Sequence, residues 1–195
     1  MLPEAEQYLA SRDGVLRRVI AAQADRWAAA PTEDPIRGLI RIVVAQQVST
    51  AAAGLLFSRM TQRAPFLGTP WPSKLKTVSW PELRKCGLTN RKARCCAYIL
   101  RSEARIRSHA TRNGVGWDTA IASITGVGPW TRTVFRILVL RERDVLAVGD
   151  VGLMRAISQH YGPSSDIAEL SRRWVPLRSV ACWYLWRSLG NEPLG

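Results

Sequence analysis

A Gly-Val-Gly turn followed by proline is the feature of this chain whose residue types and spacing most directly suggest chemistry. Gly126 and Gly128 permit a sharp turn, and Pro129 suits the first position of a helix, where its missing N–H costs nothing. Backbone N–H groups at the start of that helix, together with the helix dipole, form an anion site without a charged side chain. Thr131 and Arg132 can add phosphate contacts. An ordinary connection between two helices remains the alternative interpretation.

A lone aspartate, Asp150, follows this turn by about twenty residues and is predicted to stand at the start of another helix. The helix dipole and the free N–H groups there favour its charged form, so we expect a carboxylate rather than a general acid. A purely structural helix cap is the alternative. Asp144 is the nearest rival, but it precedes a segment predicted to be extended and lacks that placement.

The charge of the chain points to a polyanionic partner. Lys and Arg total 28 against 15 Asp and Glu, which gives a net charge of +13. Nucleic acid is the commonest partner of such a chain, and arginine, which predominates here, binds two phosphate oxygens at once. The positive residues are scattered along the sequence, which favours a folded binding face over a disordered arm.

Composition also limits the class of protein. No apolar run approaches the roughly 18 residues of a membrane span, and the start of the chain does not resemble a signal peptide. Two histidines and cysteines without a Cys-x-x-Cys pair make a zinc site improbable. We expect the cysteines to be reduced, buried thiols of a cytoplasmic protein. They are Cys86, Cys95, Cys96 and Cys182.

Helical periodicity dominates the pattern of apolar residues, so the predicted class is all-α. A Gln46-Gln47 pair interrupts one apolar helix face, and Asn90 is predicted to cap a long basic helix ending near Ser108. A short strand near the N-terminus or at 144–148 stays open. The other expected helices are marked by Leu16 to Ile20, Pro35 to Val44, Ala51 to Met60, Trp80 onwards, Trp117 to Ser123, Pro129 to Leu140, Asp150 to His160, Asp166 to Arg173 and Pro176 to Leu189.

Four sequence blocks, in this order, resemble the helix-hairpin-helix DNA glycosylases. The resemblance is closest to the bacterial 3-methyladenine DNA glycosylase II branch. The blocks are Ile42 to Ser49 (IVVAQQVS), Gly87 to Ala93 (GLTNRKA), Ile124 to Thr131 (ITGVGPWT) with Asp150, and Trp174 to Ser179 (WVPLRS) with Trp183 to Trp186 (WYLW).

The resemblance implies a single all-α domain over residues 1–195, built as two lobes with a DNA-binding cleft between them. Lobe A would cover about 33–143, with the hairpin at 122–132, and lobe B would combine about 1–32 with 144–195. In this fold Asp150 would be catalytic. Its carboxylate would stabilise the positive charge that develops on a sugar as an N-glycosidic bond breaks.

The resemblance also assigns roles in DNA binding and base recognition. Gln47 would fill the gap left by an extruded nucleotide, with Gln46 beside it, although a glutamine pair is often a solvated helix end. Trp130 and Trp186 would face the flipped base, and two further pocket positions carry valine instead of an aromatic residue. These are Val134 and Val151, and the implied DNA contacts are Gly87, Thr89, Arg91, Lys92, Gly126, Val127, Gly128, Thr131 and Arg132.

Trp130 also bears on the type of reaction. Relatives that cleave the strand carry a lysine at this place, whereas this chain has an indole, so we expect a monofunctional glycosylase without lyase activity. The four spaced C-terminal cysteines of an iron–sulfur loop are absent from the sequence. No cofactor is expected, except that carbonyls of Ala122, Ile124 and Val127 could hold a structural Na⁺ or K⁺.

The sequence therefore predicts a glycosylase that flips and excises damaged, alkylated purines such as 3-methyladenine and 7-methylguanine from duplex DNA in base-excision repair. It would act as a monomer on the nucleoid in the cytoplasm, without a membrane partner. Two alternatives stay open: a glycosylase for oxidised, deaminated or mispaired bases, and a non-catalytic DNA-binding module that uses only the hairpin.

Overall fold

The computed structural model describes residues 3–28, 33–63, 79–112 and 116–190. Every regular element in these ranges is an α-helix, which confirms the all-α class, and no strand forms at 144–148. None of the helices in these ranges is long and apolar enough to cross a membrane. In chain order they are α1 Glu4–Arg12, α2 Gly14–Ala21, α3 Pro35–Ala45, α4 Thr50–Arg63, α5 Trp80–Arg84, α6 Asn90–Arg101, α7 Glu103–Arg112, α8 Gly116–Ala122, α9 Pro129–Leu138, α10 Val151–Tyr161, α11 Ile167–Arg172 and α12 Arg178–Ser188.

Two helix starts are set by capping side chains, and the second of them differs from the sequence prediction. Asp34 caps α3 by accepting hydrogen bonds from the N–H groups of Ile36 (2.9 Å) and Arg37 (3.1 Å). Thr89 instead of Asn90 caps α6, and its side chain accepts from a backbone N–H three residues later.

The predicted long basic helix is wrong in one further respect. It divides at Ser102 into α6 and α7, because the backbone of Ser102 leaves helical geometry, with φ −99° and ψ 7°. The exposed arginines before and after this break nevertheless follow one helical spacing.

The chain divides into two compact units. The terminal unit comprises the described residues 3–28 and 136–190, in which α12 packs against α1, α2 and α10. Asp13 ties this unit together: it caps α2, and its Oδ2 accepts hydrogen bonds from the Tyr161 hydroxyl (2.9 Å) and the Trp174 indole (3.0 Å). A buried carboxylate with this many donors is fully compensated, so it serves the fold.

The middle unit comprises the described residues between 33 and 135. Its core forms where α3 packs on α4 and α6, and α7 packs on α8. Arg107 of α7 binds the carboxylates of both Glu103 and Asp34, which fastens the start of α3 to α7. The apolar face of α3 consists of Ile36, Leu39, Ile40, Ile42, Val43 and Val44, all fully buried.

Candidate active site

The Gly-Val-Gly turn lies in the middle unit, between α8 and α9. The N–H of Val127 donates to the carbonyl of Ile124 at 2.9 Å, and both side chains are buried. Gly126 has φ +97°, and a Cβ there would lie 3.0 Å from the Sγ of Cys95 on α6. Glycine is therefore required at position 126 both by backbone conformation and by the close approach of α6.

The start of α9 carries no acidic side chain in its first turn, and Gly128 and Pro129 are exposed. The positive end of this helix thus has no carboxylate of its own. Arg132 is less available, because its Nε donates to the Oδ1 of Asp118 at 2.8 Å and its terminal nitrogen also bonds this carboxylate. The hydrogen bonds that Arg132 donates to Asp118 raise the pKa of Arg132.

Gln46 connects the α3–α4 turn to the hairpin. Its Nε2 donates to the carbonyl of Gly126 at 2.9 Å and to the Oγ1 of Thr131 at 2.8 Å. Thr131 is only 2% exposed. Both side chains, predicted as DNA contacts, are therefore engaged with each other. Nothing in the local sequence signalled this link, which joins residues 80 and 85 positions apart.

Gln47, by contrast, is exposed at the turn between α3 and α4. Its φ of +54° lies in the left-handed region, which a residue with a side chain rarely adopts. Gln46 holds the turn from one side, so the strained residue is a fixed feature of the surface. This placement suits a side chain that enters a DNA duplex.

The block from Gly87 to Lys92 contains both exposed residues and a buried lysine. Gly87 has φ +101°, and it, Thr89 and Arg91 are exposed. Lys92 instead points inward, where its Nζ donates to the carbonyl of Val44 at 2.7 Å at the C-terminal end of α3. Burial lowers the pKa of Lys92. Its ammonium complements the negative end of α3, and the described surface does not offer it to a phosphate.

Two predicted pocket residues lie on α9. Trp130 is partly exposed, whereas Val134 has no exposed surface. In this conformation Trp130 keeps exposed surface and Val134 keeps none.

In the terminal unit, Asp150 caps α10. Its Oδ1 accepts hydrogen bonds from the N–H of Leu153 at 2.6 Å and from the indole Nε1 of Trp186 at 2.8 Å. The residue is 6% exposed. Two donors on one oxygen fix the plane of the carboxylate and stabilise its charge.

Trp186 is fully buried, so its ring does not present a stacking face in this conformation. Its indole N–H instead positions Asp150. Gly152 makes room for this contact, because a Cβ there would lie 3.1 Å from the Asp150 Oδ1 and 3.5 Å from the Trp186 Cδ1. Sequence reasoning did not identify Gly152, whose importance depends on a neighbour 34 residues away.

The segment that leads to Asp150 is held along α12. Asp144 accepts two hydrogen bonds from the Arg178 guanidinium, at 2.7 and 2.9 Å, which lowers the pKa of Asp144. The Oγ of Ser179 accepts from the N–H of Val145 at 2.9 Å, and the Ser179 N–H donates to the carbonyl of Arg143 at 3.1 Å. Asp144 is thus committed to a salt bridge, which weakens its case as a rival to Asp150.

The partners on α12 recur at a regular helical spacing. Arg178, Cys182 and Trp186 stand four residues apart and therefore share one face of the helix. Burial raises the pKa of the Cys182 thiol to about 12, so the residue between the two anchors is an inert packing group. The spacing of four residues could have been recognised in the sequence as a sign that these α12 residues hold the segment 144–150, an arrangement that we call the clamp. It also gives a physical reason for the R-S and W-Y-x-W blocks.

Exposed apolar side chains stand close to Asp150 along the chain in the terminal unit. Val148 and Val151 are 71% and 73% exposed, and Met154 is 38% exposed one helical turn later. A largely buried carboxylate beside exposed apolar groups is an arrangement that can receive an apolar or aromatic ligand next to a fixed negative charge.

Metal ligands are not gathered at either region. Within the described ranges, no group of three or more histidine, cysteine, aspartate or glutamate residues is placed to hold a metal ion. At the hairpin, the carbonyl of Ile124 already accepts from Val127. The proposed cation at Ala122, Ile124 and Val127 stays a prediction.

The chain is similar to known DNA repair proteins. A family model described as HhH-GPD superfamily base excision DNA repair protein matches residues 40–176. The chain is 24% identical over 168 residues to the alkylbase DNA glycosidase-like protein mag2 of Schizosaccharomyces pombe, covering 80% of this chain and 79% of that protein. It is 25% identical over 201 residues to DNA-3-methyladenine glycosylase 1 of the same organism, covering 96% and 87%.

Among solved structures, the Schizosaccharomyces pombe 3-methyladenine DNA glycosylase Mag1 in complex with abasic DNA matches with a TM-score of 0.76. The identity is 22%, and the match covers 95% of this chain and 96% of that chain. This likeness shows a shared fold.

Proposed function

Because the chain belongs to the HhH-GPD superfamily of base excision DNA repair proteins, we propose that it is a monofunctional DNA glycosylase acting on alkylated purines. The observation that carries the proposal is the largely buried carboxylate of Asp150, held by the Leu153 N–H and the Trp186 indole beside exposed apolar side chains. The names of the two yeast relatives, an alkylbase glycosidase-like protein and a 3-methyladenine glycosylase, support the choice of base.

The proposed reaction places positive charge on the deoxyribose as the bond to the base breaks. The Asp150 carboxylate stabilises that charge, and it does so without reorganisation because its two donors already fix it. A water molecule oriented by the same carboxylate then completes hydrolysis, leaving an abasic site. A purine carrying an alkyl-induced positive charge is a good leaving group, so no protein acid is needed at the base.

DNA is held, in this proposal, through the hairpin in the middle unit. A phosphate binds at the start of α9, where the helix has no acid of its own. Gln47 enters the duplex and fills the space of the extruded nucleotide, and its exposed, strained position supports this role. Trp130 supplies an aromatic face for the base, by cation–π attraction of about 0.5–2 kcal/mol for a cationic purine.

The absence of a lyase step is also part of the proposal. A lyase needs an amine that attacks the sugar, and Trp130 stands where strand-cleaving relatives are expected to carry a lysine. We further propose that the enzyme works as a monomer on nucleoid DNA in the cytoplasm and needs no cofactor, so that base release persists in a metal chelator.

The decisive test compares Asp150→Asn with Asp166→Asn. Both aspartates cap helices, and asparagine is an equally good cap, so the fold is preserved in each variant. We expect the first variant to lose base release by about 100- to 1000-fold, the size typical of a lost electrostatic stabiliser. The Asp166 variant should retain full activity.

The substrates are duplexes bearing 3-methyladenine, 7-methylguanine, hypoxanthine, 8-oxoguanine or uracil, with abasic sites revealed by alkali. Preferential release of the last three bases would favour the alternative of a glycosylase for oxidised, deaminated or mispaired bases. No release from any duplex would leave only a DNA-binding module. Strand cleavage without alkali would contradict the monofunctional assignment.

A further inference from the structure

One face of α6 and α7 presents a row of arginines that the proposed reaction does not use. Arg91, Arg94, Tyr98, Arg101 and Arg105 follow one another at intervals of three and four residues, the spacing of a single helical face. All five are exposed. We call this surface the arginine stripe.

The stripe continues across the break between the two helices. Helical hydrogen bonds run through it, from the Ser102 N–H to the Tyr98 carbonyl and from the Ile106 N–H to the Ser102 carbonyl, each at 2.9 Å. The Arg105 guanidinium lies 5.7 Å from the centre of the Tyr98 ring and also bonds its hydroxyl. Residues from α6 and α7 therefore share one surface.

The charge of the arginine stripe is not compensated by salt bridges. Seven salt bridges join described residues, and none involves the four arginines of the stripe. The one acid on these two helices, Glu103, is bound to Arg107 instead. Several other arginines are neutralised in this way, namely Arg41, Arg107, Arg132, Arg136, Arg178 and Arg187.

Two of the guanidinium groups are held in place by aromatic rings. Arg94 lies 4.8 Å from the ring centre of Trp80, and Arg105 rests on Tyr98. Stacking leaves the N–H edge of the Arg94 guanidinium available, and Arg105, which donates to the Tyr98 hydroxyl through one nitrogen, keeps its other N–H groups. Such support lowers the entropy lost when a guanidinium binds an anion. A solvated arginine without such support would be a poorer ligand.

The dimensions and composition of the arginine stripe fit a nucleic-acid backbone. From Arg91 to Arg105 the helices rise about 21 Å at 1.5 Å per residue, which matches about six base pairs at 3.4 Å each. Tyr98 is the single exposed large apolar side chain on the stripe, whereas the centre of a protein interface needs several. The hairpin packs on the same helix, since Gly126 meets Cys95 of α6.

We propose that the arginine stripe binds the phosphate backbone of duplex DNA beyond the nucleotide held at the hairpin. The proposal rests on the proposed function in that DNA is the partner. Arg91 is already an expected DNA contact, and Arg94, Arg101 and Arg105 extend the binding surface beyond it. Such a surface would add affinity for undamaged DNA, where Asp150 has no lesion to engage.

The test is the salt dependence of binding to an undamaged 30-base-pair duplex, measured by fluorescence anisotropy from 50 to 300 mM KCl. A variant combining Arg94→Gln, Arg101→Gln and Arg105→Gln should show a plot of log Kd against log salt that is less steep by about 2.7, or about 0.9 per lost phosphate contact. A variant with the same three positions changed to Lys should keep most of the slope.

A matched control removes the same charge from the terminal unit, by combining Arg12→Gln, Arg17→Gln and Arg172→Gln. Arg12 is likewise exposed and stacked on a ring, 4.8 Å from the centre of Tyr8. The control should keep the wild-type slope. An unchanged slope in the stripe variant, or an equal loss in the control, overturns the proposal, as does docking of the stripe on an acidic protein instead of DNA.

The result is separable from that of the proposed function. Undamaged DNA contains no base to excise, so a protein that releases no base can still pass or fail this test. All variants are first compared with the wild type by circular dichroism and thermal unfolding. A stripe variant that unfolds is replaced by the single change Arg101→Gln, whose expected loss of slope is about 0.9.

Discussion

The starts of α9 and α10 use the same physical device in opposite ways. Each offers the positive end of a helix and unsatisfied backbone N–H groups. At α10 the chain supplies the anion itself, because the Asp150 carboxylate accepts from Leu153 and Trp186. At α9 no acid stands in the first turn, and Gly128 and Pro129 leave the helix end exposed.

The difference separates a site that binds from a site that reacts. An open helix end is suited to a phosphate that must arrive and leave with each DNA molecule. A carboxylate that interacts with a developing sugar cation must instead be present and oriented beforehand. We therefore expect that the neighbours of Asp150 position its carboxylate. We also expect that phosphate binding at the start of α9 requires a first turn without acids.

After the loss of Asp150 itself, the largest effect is expected from removing the indole N–H that positions its carboxylate. Trp186→Phe keeps an aromatic ring in the core but loses the 2.8 Å hydrogen bond to Oδ1. A lost hydrogen bond to a charged group costs about 1.5–3 kcal/mol, so single-turnover base release should fall by about 10- to 100-fold. Affinity for an abasic duplex should change little, since Trp186 is fully buried.

Trp183→Phe is the control for this change. Trp183 is buried on the same helix and packs edge-on against Trp27, with ring centres 6.0 Å apart, so the cost to the core is comparable. Equal loss of base release in both variants would mean that Trp186 acts only through packing, and the positioning role would be abandoned.

A smaller effect is expected from giving α9 an acid of its own. Gly128→Asp is sterically tolerated, because a Cβ at this position meets no atom within 4 Å. The new carboxylate would occupy the helix end and repel a phosphate, so affinity for an abasic duplex should fall about tenfold, or about 1.4 kcal/mol. The thermal midpoint should stay the same or rise, since aspartate is a good cap.

Gly128→Asn separates charge from shape in this experiment. Asparagine caps a helix as well as aspartate does but carries no charge, so its affinity should stay near that of the wild type. Equal weakening by both residues would indicate a steric block, and an unaffected aspartate variant would show that no phosphate binds at the start of α9.

The link between the hairpin and the α3–α4 turn should contribute to stability. Gln46→Leu keeps the volume of the side chain but removes both donors, leaving the Gly126 carbonyl and the largely buried Thr131 hydroxyl without this partner. We expect the free energy of unfolding to fall by about 1 kcal/mol in urea titrations. Gln47→Ala, one residue along and exposed, should change it by less than about 0.5 kcal/mol. Equal stability of the two variants would contradict the link.

Features that depend on local interactions could be predicted from the sequence, whereas contacts between distant residues could not. The all-α class, the turn at Gly126 and the cap at Asp150 depend on interactions within a few residues, so composition and spacing reveal them. The partners of Gln46 and Trp186 lie 80 and 36 residues away, and no local pattern identifies them. The family resemblance implied that Lys92 contacts DNA, but its ammonium donates to the Val44 carbonyl in the interior, 48 residues away along the chain.

The smallest effect tests the clamp that leads to Asp150. The hydrogen bonds from Arg178 hold the pKa of Asp144 below its ordinary value. A lowered pKa means that the stabilisation is complete above the unfolded value, near 3.9, and is lost as pH falls through the folded value. Asp144→Asn should therefore lower the free energy of unfolding at pH 7 by less than about 1 kcal/mol, because the pair is partly exposed. The difference from the wild type should shrink as the pH falls below 4.

Ser179→Ala provides the matched comparison for this pH profile. It removes the hydrogen bonds between the Ser179 hydroxyl and Val145 in the same clamp without changing a titratable group. Its difference from the wild type should therefore stay constant between pH 7 and pH 3, measured by urea unfolding at each pH. If the Asp144 variant shows the same flat profile, the ion pair with Arg178 does not stabilise the segment. The start of α10 would then be oriented by Ser179 and Trp186 alone. It would differ less from the start of α9, which has no such clamp, than the Asp144–Arg178 salt bridge suggests.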